Sequence, residues 1–161
     1  MLVAGYTVRT LDIDGSRVTG TGDLRSAHLD LPAQPTSPAR ARRFVSATLA
    51  AWGLDGGDDA VLVVSELATN ALLHARTPMT VGIAEEAGGT LRVSVADESP
   101  VPPRTRTFSV DSGTGRGLRL LDALAAEWHV DATTGGKVVW CRLRLGGSGF
   151  AGFDVDAVGA L

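Results

Sequence analysis

Two short glycine-containing turns constrain the fold of this chain more than any other feature of its sequence. Residues 87–89 (Ala-Gly-Gly) separate two segments of strand-like composition within 80–96, and Gly135-Gly136 separates two more within 128–145. Strands joined by so few residues pair antiparallel as β-hairpins. The sequence therefore predicts two antiparallel strand pairs.

The remaining predicted elements come in blocks rather than in strand–helix alternation. They are a strand at 26–31 and helices at 38–52, 58–75 and about 118–127. Ser37 and Asp58 are N-cap candidates, Pro38 suits a first helical position, and Gly53 is a plausible stop. Elements in blocks favour an α+β fold. We expect a two-layer α/β sandwich whose antiparallel or mixed sheet carries helices on one face.

Length and composition exclude several classes of protein. The 161 residues suit one domain, with 44% hydrophobic and 20% charged residues. A net charge of −3 provides no basic field for nucleic acid, and no segment reaches the ~18 continuous apolar residues of a membrane span. The N-terminus lacks a signal-peptide pattern, and the single cysteine, Cys141, excludes an internal disulfide. We expect a cytoplasmic protein without direct nucleic-acid or membrane contacts.

The chain is expected to divide into three regions. Residues 1–24, with repeated Gly and Asp, predict an arm or hairpin, 25–146 a folded domain, and 147–161 a flexible tail that begins Gly-rich. Inside the domain, 97–117 contains three prolines and three glycines. A connection of that length in a compact domain is usually functional.

The predicted helix at 58–75 carries Glu66, Asn70 and His74 at a spacing of four, which places them along one face. The positions expected to face the core are Val61, Val64, Ala68, Ala71, Leu72 and Ala75. Burying an unpartnered amide costs ~1–3 kcal/mol and an unpaired charge costs more, so these groups need partners. An Asn oxygen suits Mg²⁺, and Glu can accept a proton. The alternative is an exposed Glu66 and an Asn70 bonded to a neighbouring loop.

Asp97 follows the predicted strand at 90–96, where the chain opens into the long loop. An ionised carboxylate only accepts hydrogen bonds, so Asp97 can select an amino group such as that of adenine. The alternative is a turn or capping aspartate.

Three alternating glycines, Gly113, Gly115 and Gly117, come before the last predicted helix. Backbone N–H groups in such a turn can approach an anion, and a helix N-terminus adds partial positive charge. Arg116 lies inside the turn and is a better phosphate candidate than Lys137, for which a solvated position beside a hairpin turn is expected. The alternative is a flexible linker that caps the helix.

The order of these motifs resembles the GHKL ATPase superfamily with its Bergerat ATP-binding fold. The motifs are SELATNALLHA in a helix, VADESP at a strand end, GTGRGL before a helix and GGKVVW in a strand. The chain is most similar to the small bacterial anti-sigma factors that are serine/threonine protein kinases, the RsbW-like or SpoIIAB-like group, over residues 27–145. No dimerisation helix with a phospho-acceptor His precedes these motifs, so we expect a stand-alone ATP-binding unit rather than a complete sensor histidine kinase.

This resemblance implies roles for individual residues. Glu66 corresponds to the catalytic base, Asn70 to the Mg²⁺ ligand and Asp97 to the aspartate that binds the adenine amino group. His74 is structural or lies near the phosphates. The residues of the second glycine box, which hold the phosphate tail of ATP, are Gly113, Gly115, Arg116, Gly117 and Leu118. Residues 100–112 correspond to a lid over ATP, and 137–139 to a strand that supports the adenine pocket.

One motif departs from the family pattern. The first glycine box of the family reads Asp-x-Gly-x-Gly, whereas this chain has DESPV at 97–101. The resemblance implies an ATP- and Mg²⁺-dependent kinase that phosphorylates a STAS-type anti-anti-sigma protein and, as a homodimer, sequesters a sigma factor. The missing glycines motivate an alternative, a catalytically weak, nucleotide-dependent protein-binding regulatory module. A small ATPase and a domain that binds no nucleotide are further alternatives.

Overall fold

The structure is a computed structural model that describes residues 2–3, 6–7, 25–55, 57–99 and 115–146. In chain order its elements are β1 (Leu2–Val3), β2 (Tyr6–Thr7), β3 (Arg25–Leu31), α1 (Ser37–Trp52), α2 (Asp58–Asn70), a π-helical turn (Ala71–Ala75), β4 (Met79–Glu86), β5 (Thr90–Asp97), α3 (Gly115–Leu124), β6 (Glu127–Thr133) and β7 (Gly136–Arg144). None of the helices within these ranges is both long and apolar enough to cross a bilayer.

The main sheet has five strands in the order β3-β4-β5-β7-β6, and each neighbouring pair is antiparallel. Both predicted hairpins, β4–β5 and β6–β7, are present. Gly88 and Gly89 in the first turn have φ values of 80° and 71°, a region in which glycine is favoured. Strand β7 lies between β5 and β6. The second hairpin therefore joins the first through the pairing of β7 with β5. β1 and β2 form a separate antiparallel pair.

One face of the main sheet packs against the helices, which confirms the two-layer α+β sandwich. α1 and α2 pack on each other, and α2 also contacts β4, β5 and β7. Phe44 of α1, Val63 of α2, Val81 of β4 and Val93 of β5 are completely buried in this layer. Each such side chain contributes about 1.5–3 kcal/mol through burial, so these contacts fix the helices on the sheet.

The ends of the first two helices differ from expectation at their N-termini. Thr36, not Ser37, is the N-cap of α1, and the Ser37 hydroxyl donates instead to the carbonyl oxygen of Pro32 at 2.6 Å. Likewise Gly57 precedes α2, and Asp58 lies in its first turn, where a negative charge is favourable. Gly53 ends α1 in the left-handed conformation (φ 66°), as predicted.

The opposite face of the sheet carries a network of aromatic and charged side chains around Trp140 of β7. Arg92 and Arg142 lie over its ring, 4.4 and 5.2 Å from the ring centroid. Hydrogen bonds to Glu86 and Glu127 raise the pKa of Arg142, and the hydrogen bond from Arg142 is the main cause that lowers the pKa of Glu127. The ion pairs of Arg142 therefore link β7 to Glu86 of β4 and Glu127 of β6.

Candidate functional site

Asp97 ends β5 on the helix-covered face of the sheet, in register with the buried residues Val93 and Val95. Its side chain is only 3% exposed and pairs with Lys137 of β7, whose Nζ lies 2.9 Å from Oδ2 and 3.1 Å from Oδ1. The backbone N–H of Ser99 donates to Oδ1 at 3.0 Å. The carboxylate is therefore held in place by three hydrogen bonds at the end of the strand.

The position of Lys137 corrects the sequence expectation of a solvated lysine. Its side chain is 18% exposed, and the residue is directly opposite Asp97 in the β5–β7 register. The preceding Gly136 permits this close approach, since a Cβ atom there would lie 1.8 Å from the Asp97 carbonyl oxygen. Pairing with a buried carboxylate holds the ammonium group against the sheet.

The chain after Asp97 is also held by hydrogen bonds. The N–H of Glu98 donates to the Thr77 hydroxyl at 3.0 Å, and Ser99 is buried. Ser99 stands where the family's first glycine box has its first glycine. Residues 100–114, which include Gly113 and the expected lid at 100–112, lie outside the described residues.

Glu66 and Asn70 lie one turn apart on α2 and are both partly buried. Each lies three positions after a buried residue of the core stripe, Glu66 after Val63 and Asn70 after Leu67. Within the described part of the chain, neither side chain has a hydrogen-bond or ion-pair partner. No described residue therefore occupies the hydrogen-bonding groups of the Asn70 amide or the Glu66 carboxylate.

The core stripe of α2 is rotated relative to the expected one. Its buried residues are Ala60, Val63, Val64, Leu67, Ala68 and Ala71, whereas Val61 and Leu72 are only partly buried. Leu62 and Leu73 are exposed, at 37% and 53%. Because this helix is apolar on almost every side, its sequence pattern alone did not fix which side faces the sheet.

His74 does not continue the line of Glu66 and Asn70 in a regular α-helix. The α-helix ends at Asn70, and residues Ala71–Ala75 form a π-helical turn in which the Arg76 N–H bonds the carbonyl oxygen of Ala71. A π turn is wider than an α turn, so it changes the angular position of every residue after it. His74 is exposed, and the expected four-residue spacing applies only from Glu66 to Asn70.

The second glycine box begins a helix instead of preceding one. α3 starts at Gly115, so Gly115, Arg116, Gly117 and Leu118 occupy its first turn rather than a loop before Leu118. The first N–H groups of a helix have no acceptor inside the helix. They are therefore the backbone donors available to an anion at this end of α3, which also packs against α2.

The described residues of the candidate site belong to two layers of the fold. Asp97, Ser99 and Lys137 meet at the end of β5, while α2 with its π turn packs on β5 from the helical layer. Sequence reasoning missed the Asp97–Lys137 pair, and only the β5–β7 register signals it. No three His, Cys, Asp or Glu side chains cluster as a metal site in the described ranges, and the side-chain oxygen of Asn70 is of the kind that suits a hard cation.

A family profile for the histidine kinase-like ATPase domain matches residues 31–143. The chain belongs to this family. It is a GHKL-type ATP-binding protein, and the matched range includes Glu66, Asn70, Asp97 and the helix of the second glycine box. Membership implies ATP binding and a kinase-like ATPase fold.

Three known proteins are similar to this ATPase domain. An uncharacterised protein of Streptomyces coelicolor is 38% identical over 82 residues, which cover 46% of this chain and 78% of the relative. The crystal structure of the RsbU and RsbW domains of Rv1364c from Mycobacterium tuberculosis superposes with a TM-score of 0.58 and 25% identity, covering 75% of this chain and 32% of that chain. This domain thus spans about a third of the Mycobacterium chain.

The third protein is the histidine kinase domain of the blue-light activated histidine kinase from Erythrobacter litoralis EL346. It has 25% identity to this chain and a TM-score of 0.46. The likeness covers 71% of this chain and 62% of that chain.

Proposed function

We propose that this protein is a cytoplasmic, ATP- and Mg²⁺-dependent protein serine/threonine kinase that acts on a STAS-type anti-anti-sigma protein. The observation that carries the proposal is the packing of α2, whose Glu66 and Asn70 side chains have no partner among the described residues, on β5, which ends at the buried Asp97. The resemblance of the motifs to the RsbW-like kinases and the similarity to an RsbW domain support it.

ATP would be held at three points by this chain. The carboxylate of Asp97, buried at the end of β5, accepts a hydrogen bond from the adenine amino group. The N–H groups at the start of α3 and the Arg116 guanidinium hold the phosphate tail. Asn70 supplies the oxygen ligand for Mg²⁺, which neutralises charge on the phosphates.

Glu66 acts on the protein substrate. Its carboxylate accepts the proton of the partner's serine hydroxyl as the serine oxygen attacks the γ-phosphorus. The bond between the γ-phosphorus and the bridging oxygen breaks, so the products are a phosphoserine and ADP. The helix backbone of α2 places Glu66, and positioning of the reacting groups accounts for much of phosphoryl-transfer catalysis.

The same chain, as a homodimer, would hold a sigma factor and release it when the unphosphorylated STAS protein competes. Transfer of labelled γ-phosphate from ATP to a co-encoded STAS protein tests the kinase activity. Glu66→Ala should abolish transfer and leave ATP affinity intact, because Glu66 touches the hydroxyl rather than the nucleotide. Asp58→Ala removes a carboxylate from the far end of α2 and serves as the matched control. Transfer that persists in Glu66→Ala would refute the assigned base.

A second function, a nucleotide-dependent binding module without phosphoryl transfer, is favoured by one observation. The segment after Asp97 has Ser99 in place of a glycine, and two backbone hydrogen bonds fix Glu98 and Ser99. A fixed segment opposes the motion that a glycine box permits. This module would bind ATP and capture its protein partner without forming phosphoserine, so calorimetry beside the transfer assay separates the two functions.

A further inference from the structure

Lys137 pairs with Asp97, the carboxylate that the proposed function assigns to the purine base, and the ammonium group has no role in that function. Its ammonium contacts both carboxylate oxygens, at 2.9 and 3.1 Å. Burying an ion pair is a poor way to stabilise a fold, since desolvation of both charges offsets much of their attraction. A lysine held this way next to the expected base-binding carboxylate calls for a functional explanation.

The backbone determines where Lys137 can be. It faces Asp97 directly in the β5–β7 register, and the missing Cβ of Gly136 lets β7 approach the Asp97 carbonyl. The strand pairing therefore fixes the Lys137 Cα opposite Asp97, and the ion pair holds the ammonium at the carboxylate.

The hydrogen bonds to Asp97 leave one acceptor position on its carboxylate. An ionised carboxylate has about four acceptor positions, two on each oxygen. Oδ1 accepts from both the Ser99 N–H and Lys137, whereas Oδ2 accepts from Lys137 alone. In the described part of the chain, a single position on Oδ2 remains for a ligand.

We propose that Lys137 is a specificity-determining residue that makes the site select adenine over guanine by leaving Asp97 one free acceptor position. The inference rests on the proposed function, in which Asp97 recognises the base. The adenine amino group needs one acceptor. Guanine presents two adjacent donors, N1–H and the 2-amino group, which would bind both oxygens of an unoccupied carboxylate. Because Lys137 covers both oxygens, one guanine donor stays unpaired in a buried site, which disfavours GTP by about tenfold to hundredfold.

The test is calorimetric titration of ATP and of GTP, each with Mg²⁺, into the full chain and its variants. Lys137→Met keeps a long apolar stem but frees acceptor positions on both Asp97 oxygens, so the ratio of ATP to GTP affinity should fall by about tenfold. Lys137→Arg should keep the ratio, because a guanidinium also covers both oxygens. Arg144→Met, at the exposed far end of β7, removes the same charge and should leave the ratio unchanged.

The outcomes separate this inference from the proposed function. A ratio that falls in Lys137→Met and is kept in Lys137→Arg supports the role of Lys137. If Lys137→Met weakens the binding of ATP and GTP equally, or if the wild-type protein binds GTP as tightly as ATP, the role of Lys137 is overturned. The proposal that the protein binds ATP is unaffected by either result. Binding of neither nucleotide to the wild-type protein overturns both. If Lys137→Met does not fold, Lys137→Gln donates to one oxygen only and should lower the ratio to an intermediate value.

Discussion

Individual side chains at this site fall into two kinds, those already bonded and those without a partner. Asp97 accepts three hydrogen bonds from Lys137 and Ser99, so its geometry is set before any ligand arrives. Glu66 and Asn70 have no partner among the described residues. Partly buried polar groups that stay unpaired reduce stability slightly and are common where a ligand completes the bonding. In the proposed function, the bonded Asp97 recognises the base, and the Glu66 and Asn70 side chains act at the phosphates.

Asn70→Ala tests the side-chain amide. Since the Asn70 side chain makes no hydrogen bond to a described residue, its loss should leave the melting temperature nearly unchanged. The loss of its oxygen should weaken Mg²⁺-dependent ATP binding by about tenfold, the value of one hard-cation ligand or charge-assisted hydrogen bond. Calorimetry with Mg²⁺ and with EDTA measures the effect. Thr69→Ala, whose hydroxyl donates to the Ser65 carbonyl on the same helix, should bind ATP normally, and equal losses in both variants would rule out a specific role.

Cys141 gives a pH-dependent prediction. Burial raises the pKa of its thiol from 9.0 to about 12, so the folded protein keeps the proton longer than the unfolded chain does. The thiol therefore contributes stability that is fully present below pH 9 and is lost as the pH rises from 9 towards 12. The difference in unfolding free energy between wild type and Cys141→Ala should shrink across that range in urea titrations. A difference in unfolding free energy that stays constant from pH 9 to 12 would show that the pKa of the thiol is not raised in the folded protein.

At the level of elements, local signals predicted the strands and helices but not how they join. Glycine turns of two or three residues identified both hairpins because they act between neighbouring segments. The insertion of β7 between β5 and β6 pairs Asp97 with Lys137, 40 positions away, and no local pattern contains that information. The π turn after Asn70 was missed for a similar reason, since an apolar helix read by sequence continues smoothly through Ala71–Ala75.

In the candidate site, too, the sequence predicted spacing along a helix but not contacts that depend on strand order. The spacing of Glu66 and Asn70 was predictable because one helical turn separates them. The start of α3 at Gly115 was not, because glycines are read from sequence as a turn, yet the first turn of a helix tolerates them. The partner of Asp97 depends on strand order and therefore required the structure.

Gly136→Ala tests the close approach of β7 to β5. The added methyl would lie 1.8 Å from the Asp97 carbonyl oxygen and 2.9 Å from the Glu98 Cα, so the strands have to separate. Overpacking of this kind costs about 1–3 kcal/mol, measurable as a lower midpoint in urea unfolding. Gly135→Ala is the matched control, since its Cβ would meet nothing within 4 Å. Equal stability of the two variants would contradict the close contact.

At the scale of the whole molecule, one sheet separates two surfaces with different chemistry. The helical side joins the buried core to Asp97, α2 and the start of α3. On the opposite side, acidic and basic side chains around Trp140 are hydrogen-bonded to one another or to its indole N–H. A nucleotide bound on the helical side would bridge strand, helix and glycine box. Binding to the folded state alone stabilises it by about 2.7 kcal/mol when ATP is a hundredfold above its dissociation constant.

The most direct measurement is calorimetric titration of Mg²⁺-ATP into the wild-type chain and into Asp97→Asn, with circular dichroism to show that both are folded. The amide has the shape of the carboxylate but lacks its charge. Wild type should bind ATP in one saturable step, and Asp97→Asn should bind it at least about tenfold more weakly, because a charge-assisted hydrogen bond to the base is lost. Absence of binding to wild type, or equal dissociation constants for the two folded proteins, would contradict an ATP site built on Asp97.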